Sequence, residues 1–329
     1  MIRTLPLLVL PLPAMAELNV VTDIAPIHSI TAQIMGDTGT PTLLLPTDAD
    51  VHHFQFRPSD AQALQDADVV IMVGPTLTPW LADPVASLTS SAAILSLEDT
   101  NGWNEFKLSM RDGHADHDKH ADHDDHDDHT ADKDHDHDHD DHDDHADHDD
   151  HDEHADHDDH AADATDPHGW LDPNVTRLWV TEIAQQLSAA DPDNAAVYAA
   201  NAQPLNLELI DLAQNLTETL AQAGPIIWPH DGYQYLEARF NIQAAGRIAD
   251  SHAATPGPER ISELQTLIAD AGVTCILTDR EINGAWVDVI RSGTDAGTAF
   301  IDSIGADLDA GPDLYPAMMR TLAQTIADC

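Results

Sequence analysis

Val69-Val70-Ile71-Met72-Val73-Gly74-Pro75 is an uninterrupted apolar run closed by two turn-forming residues. A strand inside a parallel sheet is covered on both faces, so it is apolar throughout rather than at every second position. Glycine followed by proline ends such a strand. The run therefore predicts a buried strand of a parallel sheet, and with it an α/β fold.

Strand and helix signals alternate on both sides of this run. Gly36 ends one amphipathic segment, and Pro58 begins another. Apolar periodicity and these punctuating residues predict the elements that surround the central strand. The expected strands are residues 19–22, 42–45, 69–73 and 92–97, and the expected helices are residues 25–35 and 58–67.

The same alternation resumes after residue 172, around one long helix. Leucines recur at spacings of three and four from Leu205 to Leu220, which is typical of a helix with one apolar face. A helix of about 30 residues would be about 45 Å long, a suitable length for a connection between two lobes. The other expected elements are a helix over 173–189, strands over 225–228, 273–278 and 298–301, and helices over 233–240, 257–271, 285–292 and 315–327.

This pattern predicts an α/β protein with two lobes. The expected boundaries are 17–190 for the N-terminal β/α lobe, 191–223 for the linking helix and 224–329 for the C-terminal β/α lobe. Between His114 and His160 the chain is almost only His and Asp, and 16 of the 22 histidines lie there. Such a segment has too little to bury to offset the entropy of ordering, so we expect residues 112–166 to be a disordered insertion.

The N-terminus has the pattern of a secretory signal peptide. Arg3 precedes a short apolar run, and Ala14-Met15-Ala16 has the small-x-small form of a cleavage site. We therefore expect residues 1–16 to be removed and a soluble protein to reach the periplasm. The position after the expected cleavage site is Glu17 rather than a cysteine, which argues against a lipid anchor.

Charge and cysteine content narrow the function classes. The formal net charge of −47 would repel a phosphate backbone, which argues against a nucleic-acid partner and favours cations. Cys275 and Cys329 are the only two cysteines. In an exported chain they suggest a disulfide, and a pair of metal ligands is the competing interpretation because neither lies in a C-x-x-C pattern.

Candidate metal ligands follow the predicted strands. His52 and His53 come after the second strand, His230 follows the strand that ends at Trp228, and Asp279 follows the strand over 273–278. Ligands of open parallel sheets gather at the carboxyl ends of strands, so these residues are expected at a cleft between the lobes. His168 lies in the loop where the His/Asp-rich tract ends. Three histidines and one carboxylate suit tetrahedral zinc.

Each candidate also has a purely structural interpretation. A single histidine in a loop is more often a surface or capping residue than a ligand. Asp279 could instead cap the helix that follows it or pair with a neighbouring cation. The tract has two interpretations as well: a flexible set of weak zinc sites or a solvated acidic linker.

Several motifs together resemble a known family. They are the His52-His53-Phe54-Gln55-Phe56-Arg57-Pro58-Ser59-Asp60 segment, residues 166–173, the Trp228-Pro229-His230-Asp231-Gly232-Tyr233 segment and residues 275–279. Over nearly all of the chain beyond residue 16, they resemble the zinc-binding solute receptors of bacterial ABC importers, the ZnuA type of the cluster A-I receptors. The resemblance implies two Rossmann-like β/α lobes joined by a long rigid helix, with the metal site in the interlobe cleft and a C-terminal disulfide.

The resemblance also implies a ligand set. It selects His52 rather than His53, and it places the second and third ligands at His168 and His230. Some zinc receptors carry a glutamate before the first histidine, but Val51 stands there in this chain. The fourth ligand is therefore expected to be Asp279, with water as the alternative.

The implied function is a monomeric periplasmic receptor that hands Zn²⁺ to the permease and ATPase of an ABC importer, with a periplasmic metallochaperone as a further candidate partner. A manganese or iron receptor of the same family and a zinc buffer remain as alternatives. A metallohydrolase is disfavoured because the sequence has no H-E-x-x-H motif. We therefore expect a binding protein rather than an enzyme.

Overall fold

The computed structural model describes residues 17–47, 49–100, 102–103, 107–108, 165–249 and 256–329. The expected signal peptide at 1–16 and nearly all of the insertion expected at 112–166 lie outside the described residues. What the sequence predicts for them therefore stays a prediction. Within the described ranges, no helix is long and apolar enough to cross a membrane.

The first lobe is built on a four-stranded parallel sheet. Its strands are β1 (Val20–Thr22), β2 (Thr42–Leu43), β3 (Val69–Met72) and β4 (Ala93–Ser96), in the order β2-β1-β3-β4. All four residues of β3 are buried, and β3 pairs with β1 on one side and β4 on the other. The buried parallel strand expected from the apolar run at 69–73 is confirmed.

Helices cover this sheet. They are α1 (Ala25–Met35), α2 (Pro58–Gln65), α3 (Pro79–Leu88) and α4 (Pro173–Ala190), each with proline at one of its first two positions. Proline suits that position because the first turn of a helix leaves its N–H groups without an intrahelical acceptor. Helix α3 was not anticipated from the sequence.

The second lobe repeats the topology of the first. Its strands are β5 (Ile226–Trp228), β6 (Ala244–Arg247), β7 (Cys275–Thr278) and β8 (Gly297–Phe300), in the parallel order β6-β5-β7-β8. Its helices are α6 (Gln234–Phe240), α7 (Pro258–Ala271), α8 (Gly284–Ile290) and α9 (Leu314–Asp328), with α5 (Ala195–Leu220) between the lobes. Strand β6 was missed because Ala244-Ala245-Gly246-Arg247 lacks the β-branched residues typical of strands.

Helix α5 is the spine of the molecule. It has 26 residues, which corresponds to about 39 Å. The five leucines at spacings of three and four are all buried and belong to one hydrophobic core that includes residues of both lobes. Helix α5 packs against α4, α1 and the C-terminal helix α9. The two sheets are therefore attached to a common apolar core.

Hydrogen bonds reinforce this arrangement. The hydroxyl of Ser29 in α1 donates to the carbonyl of Pro312 (2.8 Å) and accepts from the backbone N–H of Tyr315 (3.0 Å). The guanidinium of Arg239 in α6 donates twice to the carboxylate of Asp172, which precedes α4, with both distances 2.7 Å. A bidentate bond of this kind fixes orientation as well as distance. These contacts restrict the motion of one lobe relative to the other.

A disulfide joins Cys275, the first residue of β7, to Cys329 at the end of α9. The two residues are 54 positions apart. Because Cys275 lies in the second sheet and α9 packs against α5 and α1, the bond holds the C-terminal helix to that sheet. The predicted disulfide is present, so these sulfurs are not available as thiolate ligands.

We expect the Cys275→Ala/Cys329→Ala variant to lose about 4 kcal/mol of its free energy of unfolding, because the unfolded chain regains the entropy of an open loop. Urea denaturation with and without a reductant measures this loss. The reduced wild type serves as the control, since it keeps both cysteines. Equal denaturation midpoints for the oxidised wild type and the variant would contradict this expectation.

Asp23 connects the ends of two neighbouring strands of the first sheet. Its carboxylate accepts from the backbone N–H groups of Ile24 (2.8 Å) and Val73 (2.7 Å) and is fully buried. Burial raises the pKa of Asp23 from its ordinary value of 3.8 to about 7, because the lost hydration outweighs the stabilisation of the carboxylate by these hydrogen bonds.

This raised pKa makes stability depend on pH. The folded state holds the Asp23 proton more tightly than the unfolded state, so the resulting stabilisation is complete below the ordinary pKa of 3.8 and is lost as the pH rises through about 7. Relative to Asp23→Asn, we expect the free energy of unfolding of the wild type to fall by on the order of 2 kcal/mol between pH 5 and pH 8. Denaturation at a series of pH values tests this, and a pH-independent difference would contradict it.

Candidate metal site

His168 is held by a buried carboxylate in the loop before α4. Asp166 is completely buried, and its Oδ1 lies 2.7 Å from His168 Nδ1 and accepts from the His168 backbone N–H at 2.9 Å. A carboxylate at Nδ1 favours the tautomer that carries its proton there. The lone pair of Nε2 is then directed away from Asp166, as in metal-binding histidines supported by a carboxylate.

His230 follows β5 and faces two carboxylates of the loop after β7. Its Nδ1 lies 3.0 Å from Asp279 Oδ2 and 3.8 Å from Glu281 Oε2. Burial lowers the pKa of His230, but the nearby carboxylates of Asp279 and Glu281 more than offset this, so the pKa lies above its usual value. The surroundings therefore favour a positive charge at this position, which a proton or a metal cation can supply.

Asp279 is fixed by the backbone of its own loop. Its Oδ1 accepts from the N–H groups of Glu281 (3.0 Å) and Ile282 (3.1 Å), and its Oδ2 accepts from the hydroxyl of Tyr233 (3.2 Å). Helix α8 is capped by Asn283 instead, so Asp279 does not have the capping role considered for it. These bonds hold Oδ2 on the His230 side of the loop.

His52 and His53 point in different directions. Both backbone N–H groups donate to the carboxylate of Asp50 (2.8 and 3.2 Å), which forms a tight turn. The His52 ring lies beside His168, with 5.8 Å between ring centroids. The His53 side chain is 70% exposed. Of the two neighbours, His52 is the one that reaches the other histidines.

The three imidazoles come from three separate loops, and His168 lies next to both His52 and His230. The centroid distance from His168 to His230 is 6.0 Å, close to the 5.8 Å between His52 and His168. Two imidazoles on one tetrahedral zinc ion, with bonds of about 2.0 Å, would have centroids about 5 Å apart. Within the described part of the chain, no three His, Cys, Asp or Glu residues already meet closely enough to hold an ion. Each of the two spacings is about 1 Å longer than the value for zinc, so the rings would have to move closer together to share one zinc ion.

Two of the three imidazoles, those of His168 and His230, border a small cavity between the lobes, and His52 lies beside His168. The volume of the cavity is about 170 Å³, and it is lined by residues of both lobes, including Val51, His168, His230, Asp279 and Glu281. The His230 ring packs beside Tyr233 with 5.3 Å between ring centroids, and Tyr233 stacks on Trp228 with 4.8 Å between centroids. Imidazole nitrogens and carboxylate oxygens around a cavity of this size suit a single divalent cation.

Gly232 leaves room for this arrangement. A Cβ atom built on Gly232 would lie 2.5 Å from His230 Nε2 and 3.1 Å from His168 Nε2. The first distance is well below a van der Waals contact, so any side chain at position 232 would displace an imidazole. A backbone without a side chain is therefore required between the two histidines.

Comparisons with known proteins identify the family of this chain. The family model described as ZnuA, zinc-uptake complex component A, periplasmic, matches residues 20–329. The chain belongs to the ZnuA family. The high-affinity zinc uptake system protein ZnuA of Paracoccus denitrificans is 41% identical to it over 322 residues, which cover 97% of this chain and 94% of the relative. The protein of the same name from Brucella abortus is 38% identical over 313 residues, covering 94% and 91%.

Solved structures confirm the two-lobed α/β fold expected of a ZnuA-family chain. A crystal structure of ZnuA superposes with a TM-score of 0.70 at 18% identity, covering 95% of this chain and 99% of the other. The binding protein FpvC of Pseudomonas aeruginosa in complex with Mn²⁺ superposes with a TM-score of 0.72 at 17% identity, covering 95% and 98%. At such low identity these likenesses show the fold.

Sequence reasoning did not single out four residues that shape the site of this ZnuA-family chain. Asp166 and Tyr233 hold the side chains of His168 and Asp279, Glu281 lines the cavity, and Gly232 makes space. All four lie within three residues of His168, His230 or Asp279. The sequence signal that could have identified these four residues is their position, since each is a polar residue or a glycine within three residues of a candidate ligand.

We expect Gly232→Ala to weaken zinc binding by at least about tenfold, because its Cβ would displace the ring of His230 from the bonding geometry that zinc requires. Gly284→Ala is the matched control, since nothing lies within 4 Å of a Cβ built there. Calorimetric titration of both variants, with circular dichroism to compare their folds, measures the effect. Zinc binding unchanged in Gly232→Ala would show that the metal does not depend on this part of the cavity.

Proposed function

We propose that this chain is a periplasmic receptor that binds zinc with high affinity and delivers it to the permease and ATPase of an ABC importer. The family match over residues 20–329 and the relatives named high-affinity zinc uptake system protein support the proposal. The observation that carries it is the close approach of three imidazoles, with the ring centroid of His168 5.8 Å from that of His52 and 6.0 Å from that of His230, where His168 and His230 line a cavity between two lobes.

The proposed ligands are His52, His168, His230 and Asp279. Three neutral imidazoles and one carboxylate complete the four positions of tetrahedral zinc. Asp279 Oδ2 lies 3.0 Å from His230 Nδ1, so this carboxylate is within reach of an ion bound to His230. A filled fourth position leaves no place for a reacting water, so this ligand set suits binding and release rather than hydrolysis.

In the proposed division, residues 1–16 are removed as a signal peptide. Residues 17–190 then form the N-terminal lobe, residues 191–223 the linking segment and residues 224–329 the C-terminal lobe. The apolar core shared through α5 and the bidentate Arg239–Asp172 bond support a receptor whose lobes move little. Release would then need only small displacements of the loops that hold the ligands. The receptor is proposed to act as a monomer that meets the importer and, before it, a metallochaperone.

Manganese is the second candidate cargo, because carboxylates line the cavity beside the histidines. Manganese prefers oxygen donors, whereas three imidazoles favour zinc. Zinc therefore remains the first assignment. A zinc buffer that meets no importer would use the same site, so transport has to be measured separately from binding.

We expect one tight zinc site in the full chain, weakened at least about a hundredfold by His168→Ala or His230→Ala, because each removes one of four bonds to the ion. His52→Ala should have an effect of similar size. Calorimetric titration with a competing chelator separates this site from weaker sites in the His/Asp-rich tract, which is identical in every variant.

His53→Ala is the matched control for His52→Ala, because it removes a neighbouring imidazole that is largely exposed. Its tight zinc affinity should equal that of the wild type. If His168→Ala and His230→Ala also keep the tight site, zinc binds elsewhere and the proposed ligand set is wrong. Zinc uptake by cells that carry each variant then connects binding to import.

A further inference from the structure

Glu281 is a second carboxylate at the candidate metal site, beside the proposed ligand Asp279. Its side chain lines the interlobe cavity and is only 18% exposed, and its Oε2 lies 3.8 Å from His230 Nδ1. Its backbone N–H donates to Asp279 Oδ1, so the two acidic residues are held in one turn. Glu281 and Asp279 therefore approach the same imidazole from the same loop.

The other acidic side chains that line the cavity accept hydrogen bonds from backbone N–H groups. Asp302 accepts from three backbone N–H groups, those of Ile304, Gly305 and Asp307, and Asp50 accepts from those of His52 and His53. These bonds shape loops and hold the two carboxylates in place. The carboxylates of Glu281 and Asp279 both lie near the ring of His230, a proposed ligand.

The neighbouring arginine does not cancel this charge. Arg280 also lines the cavity, but its Nη2 lies 2.6 Å from the carboxylate of Asp307, and its guanidinium lies over the ring of Phe300 at 5.9 Å. The guanidinium of Arg280 therefore pairs with Asp307 and packs on Phe300. The Asp279–Glu281 turn brings two carboxylates to the imidazole of His230.

Coordination number separates the ions that could use both carboxylates. Zinc in a site of imidazoles and carboxylate takes four ligands, so three histidines and Asp279 already satisfy it. Manganese prefers oxygen donors and an octahedral shell of about six ligands. A fifth donor contributed by Glu281 would therefore benefit manganese and leave zinc almost unaffected.

We propose that Glu281 sets the metal selectivity of this site by supplying an additional oxygen to divalent ions that need more than four ligands. The inference rests on the proposed function, since it requires the ion to lie among the three histidines. Under this proposal the site binds zinc and can also bind an oxygen-preferring ion such as Mn²⁺. Glu281 is the side chain that allows the second ion to bind.

Glu281→Gln tests this directly in the full chain. We expect Mn²⁺ affinity to fall by about tenfold or more, with Zn²⁺ affinity changing less than about threefold, because only the manganese shell loses a strong oxygen donor. Zinc is measured by chelator competition, and manganese by the spin-resonance signal of the unbound ion. Asp288→Asn is the control, because it removes one negative charge from an exposed position of α8.

Glu281→Asp separates contact from charge. It keeps the negative charge but shortens the side chain by one methylene, so Mn²⁺ affinity should fall nearly as far as in Glu281→Gln. Retained Mn²⁺ binding in Glu281→Asp would show a purely electrostatic effect and overturn the proposal. Equal losses of Zn²⁺ and Mn²⁺ affinity in Glu281→Gln, or no loss of either, would overturn it as well.

A different result would contradict the proposed function. If His168→Ala keeps tight zinc binding, the ion does not lie among the histidines and both proposals are wrong. If His168→Ala abolishes tight zinc binding while the Glu281 variants match the wild type with both metals, only the role of Glu281 is wrong. The two failures are thus distinguishable with one set of proteins.

Discussion

The burial of one leucine-bearing face of α5 in a core common to both lobes is the constraint on which the site depends. His168 belongs to the loop before α4, and His230 follows the first strand of the second sheet. Their rings are 6.0 Å apart although 62 residues separate them along the chain. Only a fixed distance between the two sheets can hold such a spacing, and α5, with α9 packed across it, provides that distance.

Within this frame, carboxylates and backbone bonds orient the donor groups before any ion arrives. Asp166 aligns His168, and the turn after β7 aligns Asp279. Burying these carboxylates is unfavourable unless they are hydrogen-bonded, and each accepts at least two hydrogen bonds. Pre-alignment reduces the entropy that binding must otherwise overcome. It also makes a receptor of this kind sensitive to neighbours such as Gly232, which touches the rings without binding metal.

The acidic turn that contains Asp279 and Glu281 adds carboxylate oxygens to a cavity that is also lined by imidazoles. His168 and His230 line the cavity, and the carboxylates of Asp279 and Glu281 lie beside His230. An ion that is satisfied by four ligands and an ion that needs six would use different subsets of the same donors. Selectivity would then depend on residues beside the ligands as well as on the ligands themselves.

The sequence by itself determined the α/β class, the buried strand at 69–73, the apolar face of the long helix and a short set of candidate ligands, because these follow from local periodicity and from motifs. It did not determine helix α3 or strand β6, whose sequences carry weak local signals. It also could not decide which carboxylates meet His230 or which backbone lies against its ring. Those contacts join residues far apart in the chain, and packing around α5 brings them together; local sequence patterns carry no such distances.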